Sequence, residues 1–374
     1  MSGENAQTRK LVALDLLRFV CAMLVVAFHY GASYAREPGA TAASAFAGLS
    51  VPDMFVASSW YGWIGVELFF VISGYVIALS ARSATAGLFL QRRVLRLAPA
   101  AWICASLTAI ALLWSGAGGA DAIGWRWVGS ALFLPWLPQI DASYWTLGIE
   151  VNFYLLIAAC LWRGGVAAIE PLPRMLALAS AAFWAGHFLA GAGLGVTPPS
   201  GFSLLLLPHG CFFALGMFLE RRARTGDVPP RAMLGLVLAT CAIEIANQTT
   251  ERMQAVEVET GFAIPFAIFI AGLLVIAHAD RLAIGGRRAR VAAILGLASY
   301  PLYLIHQDAG AVLMAAMMRN GAAFAVVLAT TAAAAVAAAV LCTLFAEPRL
   351  RGALAAIISR RRAPMAPGIS RPVA

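Results

Sequence analysis

Apolar residues fill ten long segments of the chain, and polar residues are concentrated in the shorter stretches between them. Each segment is close to the roughly 17–25 residues that a helix needs to cross the hydrocarbon core of a bilayer. The pattern therefore predicts an all-α integral membrane protein, built as a bundle of about ten transmembrane helices. The predicted spans are residues 11–30, 61–80, 94–114, 145–162, 174–192, 203–219, 232–249, 261–279, 291–317 and 321–345.

The composition agrees with this prediction. Hydrophobic side chains make up 61% of the 374 residues, charged side chains make up 12%, and the mean hydropathy is +0.81, whereas soluble domains carry about a quarter charged residues. The first apolar segment has the length of a full span and no small-residue cleavage site after it, so we expect it to stay in the mature protein. All six cysteines lie within predicted spans and indicate neither a disulfide framework nor a metal site.

The basic residues are distributed asymmetrically between the predicted loops. With the N-terminus placed inside, 22 of the 27 Lys and Arg residues fall on the inner side and four on the outer side. Because basic loops stay in the cytoplasm, both termini are predicted to be cytoplasmic, and the net charge of +9 needs no nucleic-acid partner. Residues 1–348 are predicted to form one transmembrane domain, and residues 349–374 a basic, disordered tail attracted to anionic lipid.

Three ionisable residues interrupt the first span: Asp15, Arg18 and His29. At about 100° per residue, Arg18 and His29 share one helical face, and Asp15 lies within about 60° of both. One interpretation is structural, with Arg18 reaching the inner interface and pairing with Asp15 while His29 lies at the outer interface. The alternative is that this polar face lines a passage across the membrane.

Two carboxylates lie near the outer ends of later spans, Glu67 in the second and Glu150 in the fourth. A charge in hydrocarbon costs ~2.5–3.5 kcal/mol on insertion scales, so both are expected to face the bundle interior at about the depth of His29. A histidine beside carboxylates suits general-base catalysis. A buried network that only fixes helix packing is the alternative. The second span also carries glycines that permit close packing: Gly62, Gly65 and Gly74.

The inner end of the third span is basic, with Arg92, Arg93 and Arg96 close together. Arg93 and Arg96 are one helical turn apart and can hold phosphate groups through charge-assisted hydrogen bonds. The simpler interpretation is that basic residues are common at inner helix ends.

The ninth span contains the sequence SYPLYLIHQD, in which Ser299, Tyr303 and His306 lie on one helical face. No comparable motif surrounds the other histidines, for which a structural role is predicted: His187, His209 and His278. Glu244 lies within the seventh span and has no partner that the sequence identifies.

Five sequence blocks resemble, in order, those of the acyltransferase-3 family, integral membrane O-acyltransferases that modify bacterial surface polysaccharides and some secondary metabolites. The blocks are LDLLRFVCAMLVVAFH, GVELFFVISGY, RRVLRLAP, WTLGIEVNFY and SYPLYLIH, followed by Glu347 and Pro348. They extend from Leu14 to about Pro348. The resemblance implies transfer of an acyl group, most often acetyl, from a cytoplasmic coenzyme A (CoA) thioester to a hydroxyl.

The resemblance also implies roles for individual residues. His29 would be the catalytic base, and Glu150 would support catalysis. Arg93 and Arg96 would hold the phosphates of the donor, whose pantetheine arm would pass along the polar face below His29. The expected supporting polar network comprises Asp15, Arg18, Glu67, Ser73, Trp145, Tyr154, Ser299, Tyr303 and His306.

The expected partners are acyl-CoA, a glycan or lipid-linked saccharide as acceptor, and the lipid of a bacterial inner membrane, with no metal and no nucleic acid. A small secondary metabolite such as a macrolide is the alternative acceptor. A different class, the proton-coupled transporters, also uses intramembrane carboxylates and histidines. Paired Gly- or Pro-broken helices in two matching halves would favour a transporter, and the sequence does not contain them.

Overall fold

The computed structural model describes residues 2–34, 44–259, 261–282 and 285–360, with side chains for residues 12–359 of these ranges. In this part of the chain the regular elements are helices, and no strand occurs. The α-helices are α1 Ser2–Phe28, α2 Asp53–Ser59, α3 Ile64–Ala81, α4 Ala86–Ser115, α5 Ala120–Ala131, α6 Trp145–Gly164, α7 Leu172–Leu189, α8 Ser200–Leu204, α9 Gly210–Thr225, α10 Arg231–Val256, α11 Ala263–Ala277, α12 Gly286–Ile305, α13 Gln307–Arg319, α14 Phe324–Leu341 and α15 Glu347–Arg360.

Shorter helical segments extend several of these α-helices. Two have π-helical geometry, His29–Ser33 after α1 and Cys342–Ala346 between α14 and α15. Four others are 3₁₀-helices: Trp60–Trp63, Ala142–Tyr144, Gly165–Ile169 and Ala279–Arg281.

Six continuous helical stretches of the described residues are long and apolar enough to cross a membrane. They are Val12–Ser33, Asp53–Ala81, Ala86–Ser115, Ala142–Ile169, Arg231–Val256 and Phe324–Ser359. A seventh candidate is the pair α12 and α13, which bends by 70° at its break. The chain is therefore a multi-pass membrane protein of helical construction.

The predicted number of ten spans is not confirmed, because three predicted spans coincide with shorter or more polar helices. The eighth predicted span corresponds to α11, whose 15 residues extend about 22 Å, less than the ~30 Å of hydrocarbon. The sixth corresponds to α9, which has 16 residues and ends in a charged segment that includes Glu220, Arg222 and Arg224. The fifth corresponds to α7, which is also outside the six stretches.

Helix α15 continues to Arg360, so residues 349–360 of the predicted tail are helical. Pro348 follows the π-helical segment Cys342–Ala346 within the continuous stretch Phe324–Ser359, and a proline has no backbone N–H to donate to the preceding turn. Glu347 at the start of the helix pairs with Arg351 one turn later, at 3.6 Å. The rest of the predicted tail, residues 361–374, lies outside the described residues.

Helices α3 and α9 cross with their backbones in contact at Gly74 and Gly216. A Cβ atom on Gly74 would lie 2.2 Å from the Phe213 carbonyl oxygen, and one on Gly216 would lie 2.0 Å from the Val71 carbonyl oxygen. The close packing predicted for Gly74 is confirmed. The two helices are parallel, since Glu67 and His209 meet near their starts and Arg82 and Glu220 meet near their ends.

Ion pairs connect three loops that were predicted to share the inner side. Arg82 follows α3 and contacts Glu220 on α9 at 3.0 Å and Glu170, just before α7, at 2.9 Å. Arg224 also contacts Glu220, at 3.2 Å. These loops therefore lie on one side of the bundle, as the distribution of arginines predicts; that this side is cytoplasmic stays a prediction.

Candidate functional site

A cavity of about 530 Å³ lies between α1, α3, α4, α6 and α12. Its walls are mainly apolar, but polar side chains also reach it, and all of them except Arg351 come from the five sequence blocks. They are Arg18, Ser73, Arg92, Arg93, Arg96, Thr146, Glu150, Tyr154, Ser299, Tyr300, Tyr303 and Arg351. The structure thus brings together Arg93, Arg96 and Glu150, which the sequence singled out separately.

The arginines gather at the end of the cavity near the start of α4. Arg92 and Arg93 have no carboxylate within ion-pair distance among the described residues, and the guanidinium of Arg93 lies 5.5 Å from the ring centroid of Phe89 and 5.8 Å from that of Tyr154. Arg96 differs, because it pairs with Glu347 at 3.5 Å. This end of the cavity therefore carries more positive than negative charge.

Arg18 reaches the cavity from α1 and keeps the partner that the sequence predicted. Its guanidinium lies 3.4 Å from the Asp15 carboxylate, and about a quarter of each side chain remains exposed. The i, i+3 pair is confirmed. Since Arg18 also lines the cavity, the pair contributes to the basic end of the site as well as to the helix.

Glu150 is fixed inside the cavity by two hydroxyl groups. Ser73 Oγ donates to Glu150 Oε1 at 2.9 Å, and the Tyr154 hydroxyl donates to the same oxygen. No hydrogen bond to Oε2 joins it to another described residue, and this oxygen is available to a molecule in the cavity. Tyr154 also contacts Arg93, so Glu150 lies beside the arginines.

His29 begins the π-helical segment that ends α1. π-helical turns are often found at functional sites, because they shift side chains out of the regular helical register. The Nδ1 atom of His29 lies 3.0 Å from Ser33 Oγ, and its ring centroid lies 5.1 Å from that of His306. His29 is partly exposed, whereas His306 is fully buried.

Tyr303 connects the cavity with the histidine pair. Its side chain lines the cavity, its hydroxyl accepts a hydrogen bond from Thr146 Oγ1 at 3.1 Å, and its ring centroid lies 5.7 Å from that of His306. The end of the cavity opposite the arginines therefore adjoins His306, and His29 lies directly behind it.

The bend between α12 and α13 holds His306 in place through groups that the sequence did not single out. Tyr30 donates to the His306 carbonyl at 2.9 Å, and Tyr34 donates to the Gln307 carbonyl at 2.6 Å. Asp141 accepts hydrogen bonds from the backbone N–H of Asp308 and of Ser143, each at 2.9 Å. No motif marked these residues, and Ser33 was missed because its role depends on the π-helical turn.

Asp141 lies in a loop outside the candidate spans and is fully buried. Burial raises the pKa of its carboxyl to about 6, although the hydrogen bonds from Ser143 and Asp308 and the charge of Arg126 oppose this shift. Because Asp141 accepts hydrogen bonds from both Ser143 and Asp308, it connects the loop before α6 with the bend that carries His306.

Glu67 belongs to a separate cluster with His209 and Glu244. The ring of His209 also lies 5.9 Å from that of Trp145, between centroids. His29, Glu67 and Glu150 were expected to lie together, but in the structure their contacts place them in three clusters. His29 contacts His306, Glu150 contacts Ser73, and Glu67 lies beside His209. Sequence reasoning missed His209 as the partner of Glu244, since the two residues are 35 positions apart in the chain.

These features define an integral membrane protein with a basic cavity that adjoins a pair of histidines, His29 and His306. A family model described as an acyltransferase domain matches residues 11–347, and the chain belongs to this acyltransferase-3 family. The resemblance found in the sequence blocks is confirmed. Among curated proteins no match was found, and no solved structure matches the chain.

Proposed function

We propose that this protein transfers an acetyl group from cytoplasmic acetyl-CoA to a hydroxyl of a surface polysaccharide or lipid-linked glycan, in the inner membrane of a bacterium. Membership of the acyltransferase family supports acyl transfer. The observation that carries the finer proposal is the cavity, which has uncompensated arginines at one end and adjoins the histidine pair at the other.

The arginine end suits the phosphates of the donor. Arg92 and Arg93 have no acidic partner among the described side chains, so their guanidinium groups are free to make charge-assisted hydrogen bonds to phosphate oxygens. Arg96 is the third arginine that we propose contacts the phosphates. Its contact with Glu347 is long, at 3.5 Å, so the guanidinium of Arg96 can bind a phosphate oxygen as well.

The length of the cavity suits a long, narrow donor arm. Thr146 and Tyr154 both line the cavity, and eight residues of helix separate them by about 12 Å. Since Arg93 contacts Tyr154 and Thr146 contacts Tyr303, the arm runs along α6 from the phosphates to the histidines. The thioester carbonyl then lies beside Tyr303.

His29 is the general base of the proposed reaction. When Nδ1–H donates to Ser33 Oγ, the lone pair of Nε2 is free to take the proton of the acceptor hydroxyl. The oxygen forms a bond to the thioester carbon, the carbon–sulfur bond breaks, and the imidazolium returns its proton to the leaving thiolate to give free CoA. Glu150, held by Ser73 and Tyr154, orients the donor arm in the cavity.

The first prediction tests this base. In proteoliposomes supplied with radiolabelled acetyl-CoA and a lipid-linked oligosaccharide, His29→Ala should lower kcat by about 10²–10⁴-fold, while CoA binding measured by calorimetry stays within about twofold. His278→Ala is the matched control, because within the described part of the chain the Nδ1 atom of His278 forms a hydrogen bond with its own helix, at the Leu274 carbonyl. Near-normal turnover by His29→Ala would disprove the mechanism.

Two further measurements test the acceptor and its side of approach. Mass spectrometry of products made from an equimolar mixture of lipid-linked oligosaccharide and a macrolide should show acetyl on the saccharide; acetylation of the macrolide alone contradicts the proposed acceptor. Labelling of His29→Cys with a membrane-impermeant reagent should occur from the outer side, and labelling only from the cytoplasm contradicts it.

A further inference from the structure

Three ionisable side chains from different parts of the chain converge outside the cavity. Glu67 is on α3, His209 immediately precedes α9, and Glu244 is on α10. One donor atom from each lies within 4.8 Å of the other two. The relative exposure of these residues is 2%, 3% and 0%, so water cannot compensate their charges.

The polar atoms of this Glu67–His209–Glu244 cluster have few hydrogen bonds. Glu67 Oε2 and Glu244 Oε2 have no partner in the described structure, and His209 Nδ1, although 3.1 Å from Glu244 Oε1, is outside hydrogen-bond geometry. Glu244 Oε1 accepts one long bond from Gln248, at 3.4 Å. Buried polar atoms are nearly always satisfied, and three unsatisfied atoms on three converging residues indicate a ligand.

The charges of the cluster also need compensation. Two carboxylates and a neutral imidazole carry a charge of −2, and burying an uncompensated charge is costly. Arg252 lies two turns after Glu244 on α10, with its guanidinium 5.8 Å from the ring centroid of Phe28. One arginine supplies a single positive charge. A divalent cation neutralises both carboxylates.

We propose that Glu67, His209 and Glu244 bind one divalent transition-metal ion, with Zn²⁺ as its principal candidate. One imidazole nitrogen and two carboxylate oxygens are a donor set that Zn²⁺ accepts at ~2.0–2.2 Å, and rotation of the Glu side chains brings the donors to that distance. Mg²⁺ prefers an all-oxygen shell with several waters, for which this buried site has the wrong donors.

The metal holds the helices that shape the cavity. It joins α3, the start of α9 and α10 at the end of the α3–α9 pair opposite Arg82 and Glu220. His209 packs against Trp145, which begins α6, and Glu150 lies on the same helix. Glu67 is six residues before Ser73, the hydroxyl that fixes Glu150. The proposed role of the metal is structural. The proposal does not rest on the proposed acyl-transfer activity.

Metal content of purified protein tests this proposal without an activity assay. The full-length chain, carried on a tag without histidines, is incubated with ZnCl₂ in detergent, desalted and measured by inductively coupled plasma mass spectrometry. The wild type should retain about one Zn²⁺ per chain, and Glu67→Gln and Glu244→Gln should each retain less than about a fifth of that. The partly exposed histidines provide matched controls, since His187→Gln and His278→Gln should keep the full content.

A second measurement uses the wild type alone, in case a variant does not fold. Zn²⁺ should raise the midpoint of thermal unfolding by several degrees and EDTA should lower it, because a ligand that binds only the folded state stabilises it. Wild-type protein without retained Zn²⁺, equal retention by the Gln variants, or a midpoint unaffected by Zn²⁺ and EDTA would overturn the proposal. In that case a protonated His209 is the counter-charge of the cluster.

Discussion

Two groups of arginines on the same side of the bundle have opposite surroundings. Arg82 follows α3 and contacts two carboxylates, those of Glu170 and Glu220, at 2.9 and 3.0 Å. Arg92 and Arg93 lie about two helical turns into α4 and contact no carboxylate in the described part of the chain. Only ten residues separate Arg82 from Arg92. The charge of Arg82 is neutralised by carboxylates of the protein itself. Arg92 and Arg93 bring unneutralised positive charge to the cavity.

The difference separates structural arginines from ligand-binding ones. Glu220 is 1% exposed, so its burial requires the arginines around it, whose charges are not available to a ligand. Glu170 shows the same coupling: burial raises the pKa of its carboxyl, but hydrogen bonding to Arg82 and the charges of Arg82, Arg221 and Arg224 outweigh burial and lower it. Nothing comparable neutralises the cavity arginines.

Replacing the cavity arginines should have the largest effect. Each charge-assisted hydrogen bond to a phosphate contributes roughly 1.5–3 kcal/mol, so Arg92→Ala together with Arg93→Ala should raise KM for acetyl-CoA about 100-fold or more. Because the phosphates do not react, the loss should be in KM and not in kcat. Initial rates across donor concentrations, and calorimetry with CoA, measure both quantities.

Arg82→Ala is the matched control for that variant, since it removes an equally basic residue ten positions earlier and should leave KM unchanged. Arg92→Lys with Arg93→Lys should fall between wild type and the alanine variant, because lysine retains charge but not the bidentate geometry. A KM for the double alanine variant within a few-fold of the wild type would contradict donor binding at these arginines.

Arg82→Ala should have the second-largest effect, on stability. Breaking a buried ion pair typically costs about 3–5 kcal/mol; here we expect roughly 2–3 kcal/mol, because Arg224 still pairs with Glu220. Thermal unfolding in detergent should begin several degrees lower than in the wild type. Arg222→Ala, in the same part of α9 but without a described ion pair, should change the midpoint little, and equal losses from both variants would refute the assignment.

The stability difference between wild type and Arg82→Ala should also depend on pH. The pKa of Glu170 is lowered in the folded protein, so its contribution is present above its ordinary value of about 4.5 and is lost as pH falls below it. The midpoints of the two proteins should therefore converge in acid, and a difference that widens in acid would contradict this coupling.

The sequence predicted the membrane class, the family and the groups around the cavity, because these depend on local patterns. Apolar length identified the candidate spans, and the i, i+3 spacing identified the Asp15–Arg18 pair. Position alone did not distinguish Arg82 from Arg93, since both lie at the inner ends of predicted spans, where basic residues are common; only the family resemblance gave Arg93 a role. What separates them is the position of Glu220, 138 residues after Arg82.

The bends and short helices could not be predicted in the same way. The π-helical turn at His29 places Ser33 beside the imidazole, and a regular 3.6-residue period gives no sign of it. The 70° bend after Ile305 depends on hydrogen bonds that Tyr30 and Tyr34 donate and that Asp141 accepts, and these residues come from distant segments. Apolar length also joined residues 203–219 into one predicted span, whereas the structure divides this segment between α8, which ends at Leu204, and α9, which begins at Gly210.

Glu347→Gln should have the smallest effect. This change removes the carboxylate that pairs with Arg96 and Arg351. Glu347 is 2% exposed and holds Arg96 at 3.5 Å and Arg351 at 3.6 Å, in competition with any phosphate at these arginines. Removing its charge while keeping its size should lower KM for acetyl-CoA by about two- to fivefold, which corresponds to less than about 1 kcal/mol, and leave kcat unchanged. Steady-state kinetics at fixed ionic strength measures this change, with Glu170→Gln as the control outside the cavity. A higher KM would mean that Glu347 positions Arg96 for the donor, and the division into paired and unpaired arginines would then not separate structural from binding roles.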